Sequence, residues 1–207
     1  DSEITAMERD MHPRRFAQEV KAEFLAAVEG ALWDWDMLDE TRADSHPELT
    51  EVVVGVDPAG GGGDEIGIVT AGRGTDGHAY VLADDTMTGR PGERARTVKA
   101  AYKRHQADKI VAEKNFGGDM VKNTITNVGE RLPVKVISAS RGKQQRAQPV
   151  SYLWDEGDAH MVGTHESLEN QLTTWTTDSN VSPDRLDAMT WALTELMLQD
   201  TPEIWAA

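Results

Sequence analysis

Seven residues, Glu51–Asp57 (EVVVGVD), constrain the fold more than any other segment of this chain. A short β-branched run without helical spacing reads as a strand buried on both faces, and such strands belong to sheets covered by helices. The run ends on a carboxylate and passes into Pro58–Asp64 (PAGGGGD), which reads as a turn. Glu65–Ala71 and Ala79–Asp84 read as the next two strands, with Thr75–Gly77 turning between them, so the spacing predicts an antiparallel meander. Glu93–His105 follows as a helix, Lys109–Glu113 (KIVAE) as a second buried strand, Asp119–Arg131 as a helix and Val134–Ser138 as a strand. Lys143–Glu156 reads as helical and Ala159–Gly163 as a short strand or mobile hairpin; Ser167–Trp175 and Pro183–Leu198 close the domain as helices. This order predicts an α/β fold: a mixed sheet, with a three-stranded antiparallel meander plus parallel strands, flanked by helices.

Ahead of that domain, residues 1–47 are rich in charge and in helix formers. From Arg15 to Trp35, the positions of Phe16, Val20, Phe24, Ala27, Val28, Ala31 and Trp35 fit an amphipathic helix. Pro47 marks the expected boundary, giving a helical segment at 1–47 and the main domain at 48–207.

Hydrophobic residues make up 39% of the chain, enough for a core. Cysteine is absent, which excludes disulfides, zinc-thiolate sites and thiol catalysis together. No apolar run approaches a membrane span and no signal-peptide core opens the chain, so the reading is of a soluble, intracellular protein. The net charge of −15 argues against binding phosphates through Lys and Arg. Metal ions held by clustered carboxylates would reverse the local sign, and Arg141, Lys143 and Arg146 concentrate basic charge in one place.

The carboxylates carry the chemistry. Asp57 ends the first strand and Glu113 the fourth, and sites in α/β sheets gather at the carboxyl ends of neighbouring strands. Ser182–Leu193 (SPDRLDAMTWAL) adds a helix whose Asp184 and Asp187, three apart, share a face. Leu186, Met189, Leu193 and Leu196 can turn inward and seat that face on the sheet. Hard oxygen ligands without Cys or a His pair suit Mg²⁺ or Mn²⁺. Two such ions would clamp a phosphodiester between an activated water and the leaving oxygen. Taken singly, each acid has a plainer role as turn former, helix cap or solvated charge. It is the ordered set that points to chemistry.

Strand–Asp, strand–Glu and a late helix bearing Asp-x-x-Asp-Ala resemble the ribonuclease H-like nuclease superfamily. Longer segments are similar to the nuclease domain of tailed-phage terminase large subunits: GVDPAGGGGDEIG at 55–67, AEKNFGGDMV at 112–121, SRGKQQRAQPVSYLWDEGDAHMVG at 140–163, SLENQLTTW at 167–175 and SPDRLDAMTWALTEL at 182–196. FLAAVEGALW at 24–33 looks like the segment joining that family's ATPase and nuclease domains. The resemblance implies a metal-dependent endonuclease that cuts concatemeric double-stranded viral DNA during packaging, in the cytoplasm of an infected bacterium. It maps the metal-binding acids onto Asp57, Glu113, Asp184 and Asp187, the last two both carried as possible principal ligands. It also implies partners: a packaging ATPase domain, the portal and the small terminase subunit. No G-x-x-x-x-G-K-[ST] phosphate loop occurs, so the chain reads as an excised domain that does not translocate DNA alone.

Arg141, Lys143 and Arg146 read either as DNA-phosphate contacts or as solvated helix charges, and Lys143 could instead help position the attacking water. The short Ala159–Gly163 strand could form part of a mobile hairpin over the DNA groove, and His160 and His165 are expected at the surface rather than on a metal. Three competing functions remain: a sugar-kinase-like or actin-like ATPase, a non-catalytic docking module of the packaging motor, and a junction-resolvase-like nuclease. The first needs a second glycine-rich nucleotide motif that the chain lacks.

Overall fold

The computed structural model describes residues 28–58, 65–114, 132–139, 141–179 and 182–199. The expected helix up to residue 27, the glycine turn at 59–64 and the expected helix Asp119–Arg131 fall outside these residues. Five helices and six strands follow in the order α1 (Trp35–Glu40), β1 (Leu49–Asp57), β2 (Gly67–Gly74), β3 (Ala79–Asp84), α2 (Pro91–Arg104), β4 (Lys109–Glu113), β5 (Val134–Ile137), α3 (Lys143–Asp155), β6 (Ala159–Met161), α4 (Glu166–Thr174) and α5 (Asp184–Met197).

The strands form one sheet in the order β5-β4-β1-β2-β3-β6. β1, β2 and β3 make the antiparallel meander. β4 and β5 extend it in parallel beside β1, and β6 pairs in parallel with β3. The α/β mixed sheet expected from the strand order is therefore present.

Alternation along β1 divides the core. Val52, Val54 and Val56 join Ala95, Val98 and Ala101 of α2 on one face of the sheet. Val53 joins Leu186, Met189 and Leu193 of α5, with side chains of α1, α3 and α4, on the other. β4 follows the same rule, with Ile110 and Ala112 toward α2 and Val111 toward α5. A strand repeats every two residues, so Asp57 and Glu113 inherit the α5 face from Val53 and Val111.

Two sequence expectations change here. Residues 28–34 are not helical: the chain turns through Gly30 at φ +91°, and a new helix begins at Trp35. The Asp34 carboxylate explains the new start, accepting the Met37 N–H at 2.8 Å as an N-cap. Of the strand and hairpin readings of Ala159–Gly163, the strand is present and the mobile hairpin over a groove is not. Ala159–Met161 completes the sheet beside β3, with Ala159 and Met161 buried.

Packing also runs straight through the region of Pro47. Trp33 and Leu38 lie in the same core as α5, and Trp33 meets Trp154 edge-on at 6.0 Å. Arg42 forks onto the buried carboxylate of Glu169 at 2.8 and 3.0 Å. Among the described residues, no helix is long and apolar enough to cross a membrane.

Candidate active site

β1 and β4 run in parallel, and their register pairs Val56 with Ala112. One step further along each strand stand Asp57 and Glu113, so the two carboxylates leave neighbouring strand ends on the same face. Both are buried, 8% and 4% exposed.

Helix α5 brings the other pair. Its approach depends on two glycines in the sheet. A Cβ added at Gly67, which pairs with Asp57 across β1 and β2, would stand 1.9 Å from the Asp184 carbonyl oxygen. One added at Gly55 would stand 2.0 Å from that of Ala188. The helix backbone thus lies directly on the strand surface where side chains are missing, with its first turn over the end of β1. Isolated glycines inside strands signal such close approach. That was the sequence signal for these two residues, though neither had been singled out.

Arg185, on the same turn, fixes the helix from its other side. It pairs with Asp84 at the end of β3 (3.0 Å) and with Glu65. At the far end of α5, Glu195 receives Lys109 (3.0 Å) and Lys135 (2.7 Å) from the starts of β4 and β5. The helix is pinned at both ends, and its first-turn aspartates are held over the strand ends.

The electrostatics reflect this crowding. Burial pushes the Asp57 carboxyl up to about 8, and the neighbouring charges of Asp187, Glu113 and Asp184 add to the rise while Lys143 opposes it. Burial likewise lifts Asp184 above the usual carboxylate range, against a hydrogen bond with Ser182 and the charge of Lys143. Asp187 is 1% exposed, and both of its oxygens are taken. Arg146 Nη2 donates to Oδ1 at 2.8 Å, and Lys143 Nζ stands 2.7 Å from Oδ2.

The donor set suits a hard divalent cation: buried carboxylate oxygens from three elements, with like charges crowding one another. As they are placed, no three Asp, Glu or His among the described residues stand together as an ion's ligand shell.

The remaining expected residues divide clearly. Arg141 is exposed near the site, and its carbonyl accepts from Arg146 Nη1 at 2.9 Å. His160 lies on β6, three strands from β1, with Nδ1 on the Thr41 carbonyl (2.7 Å) and Nε2 on His78 (2.9 Å). His165 lies against the Val81 carbonyl at 3.4 Å. Neither histidine stands beside the acids. Trp154, Trp175 and Trp191 are buried.

Residues 54–196 match the family model of the terminase RNaseH-like domain. The chain belongs to this family. Its fold is similar to the large terminase nuclease of thermophilic phage G20c with bound magnesium, at 13% identity and a TM-score of 0.59, covering 81% of this chain and 98% of that one. The nuclease domain of the P22 large terminase superposes with a TM-score of 0.63 at 14% identity, covering 84% and 97%. The HK97 bacteriophage large terminase is matched over 80% of this chain but only 43% of its own, with a TM-score of 0.61 and 12% identity. No curated protein matches by sequence. Family membership makes this a nuclease domain of the DNA-packaging machinery, with a ribonuclease H-like fold.

Proposed function

We propose that this domain is a two-metal-ion endonuclease that hydrolyses phosphodiester bonds in concatemeric double-stranded viral DNA. Asp57, Glu113, Asp184 and Asp187 would hold the ions, Mg²⁺ or Mn²⁺. When bound, such ions supply Lewis-acid activation of water and charge neutralisation at the leaving oxygen. The observation that carries this reading is the convergence of acids from β1, β4 and α5, where burial first and then the charges of Asp187, Glu113 and Asp184 raise the Asp57 carboxyl to about 8. That the G20c nuclease binds magnesium, cobalt and zinc supports divalent-metal dependence.

The chain's own residues do the positioning. β1 and β4 present two carboxylates from a rigid sheet, and the glycine contacts hold the α5 pair at a fixed height above them. Lys143, 38% exposed in its side chain, is the cation placed to meet solvent or a substrate phosphate. The whole enzyme would work with a packaging ATPase domain, the portal and the small subunit in the host cytoplasm.

The test is plasmid nicking in Mn²⁺ by Asp57→Ala and Glu113→Ala, each shown to be folded by far-UV circular dichroism. Loss of cutting by both supports the assignment, and wild-type cutting by either refutes it. A folded wild-type domain that binds neither Mg²⁺ nor Mn²⁺ in calorimetry would favour the docking-module reading.

A further inference from the structure

Arg146 and Lys143 grip the same carboxylate, but their surroundings differ. The Arg146 side chain is only 11% exposed. Its guanidinium has three supports: the Asp187 carboxylate at 2.8 Å, the Arg141 carbonyl at 2.9 Å and the face of Trp191, whose ring centroid lies 4.6 Å away. A planar donor fork seated on an aromatic ring is pre-oriented, and little side-chain freedom remains to be lost. Lys143 is 38% exposed; besides Asp187 it reaches the exposed Ser182 hydroxyl at 3.1 Å, and its charge also acts on Asp57 and Asp184. An ammonium on a flexible stem near water can leave once another cation takes over its charge.

We infer that Lys143 is a displaceable counter-ion that occupies the Asp187 oxygen a divalent cation would take, whereas Arg146 is a positioning residue that stays and orients that carboxylate. The inference rests on the metal-dependent reading above. It also gives Arg146 a role other than the DNA-phosphate contact expected from the sequence. Without the ion, Lys143 compensates a buried carboxylate that would otherwise be held by one partner, which keeps the empty acid cluster folded. When an ion arrives, Asp187 exchanges Oδ2 from the ammonium to the ion. The freed Lys143 side chain then lies at the mouth of the site, where a phosphate can approach. Arg146 keeps Oδ1 throughout, so the carboxylate does not swing. Partners that orient a metal ligand characteristically change affinity about 10- to 100-fold when altered.

The two roles predict opposite signs. Lys143→Met removes the competitor and should tighten Mn²⁺ binding about 5- to 10-fold while lowering the metal-free Tm. Lys143→Gln should do the same and serves if the Met variant misfolds. Arg146→Lys keeps the charge but loses the fork, and should weaken Mn²⁺ binding about 10-fold. A purely structural Arg146 would lower Tm and leave the Mn²⁺ Kd unchanged. Calorimetric titration of the metal-free domain with MnCl₂, alongside thermal melts in EDTA, reads both quantities. Unchanged or weaker Mn²⁺ binding by both folded Lys143 variants overturns the counter-ion role. Wild-type affinity in Arg146→Lys overturns the positioning role. Absence of Mn²⁺ binding by wild type sinks the metal reading itself, and this inference with it, which separates the two kinds of failure.

Discussion

Replacing either glycine beneath α5 should displace the acids without touching them. A Cβ at Gly55 would sit 2.0 Å from the Ala188 carbonyl oxygen and 3.0 Å from both the Ala192 Cβ and its backbone N; at Gly67 it would sit 1.9 Å from the Asp184 carbonyl oxygen. Ordinary contact begins near 3.4 Å, so the helix backbone must rise by about 1.4 Å at the first position and slightly more at the second. The obstruction is main chain and cannot rotate aside. Lifting α5 also loosens the packing of Leu186, Met189 and Leu193 on the sheet. Overpacking of this kind costs about 1–3 kcal/mol or more. For a domain of this size each kcal/mol lowers Tm by about 2–4 °C, so a drop of roughly 5–10 °C is expected. The larger consequence is chemical, because misplacing catalytic groups by about 1 Å can cost on the order of 100-fold in rate. Gly72→Ala, on the strand that carries Gly67, is the control, since the atoms nearest its Cβ belong to the movable side chain of Leu49. Thermal melts and Mn²⁺-dependent nicking of Gly55→Ala, Gly67→Ala and Gly72→Ala would check this. If the first two melt and cut like wild type, α5 is not seated on the glycines as described and the account of how the acids meet collapses.

Two further outcomes test other parts of the structure. Asp57 has an ordinary carboxyl value of 3.8 when unfolded and about 8 in the fold, so between them the folded state keeps a proton the unfolded chain has lost. Metal-free stability should therefore fall as pH rises through that window, and Asp57→Asn should gain on wild type by a few kcal/mol from pH 4 to pH 8. Urea melts in EDTA would read it, and a difference independent of pH would contradict the buried, crowded carboxyl. Trp33→Ala should cost about 3–5 kcal/mol, because Trp33 is buried in the same core as α5. A wild-type melting curve would mean that Trp33 contributes nothing to this core.

Much of the fold was legible before any coordinates, because its signals are local. EVVVGVD and KIVAE read as buried strands because their apolar residues are buried in succession, alternately on one face of the sheet and the other. The period of two that makes them strands also sends Asp57 and Glu113 to one face. Asp184 and Asp187 share a helix face by spacing alone, so the acids of the candidate site could be named from the chain. The apolar stripe expected as helix continues through residues 28–35, but a left-handed Gly30 and the Asp34 cap set a turn there and start the helix at Trp35.

Other features depend on contacts between distant segments, and no spacing rule reaches them. Ala159–Met161 reads as a strand or a hairpin from its residues, and the open side of β3 decides for an edge strand. Arg146 turns inward because Asp187 and Trp191 lie beneath it, although its neighbours in the chain made it look like part of a surface patch. Gly55 and Gly67 matter only once a helix from far along the chain lies across them. The chain alone determined which groups could do chemistry, since residue type and periodicity are written locally. Tertiary structure alone decided how closely they stand and which cation holds which oxygen, since those follow from the packing of segments 41 or more residues apart in the chain.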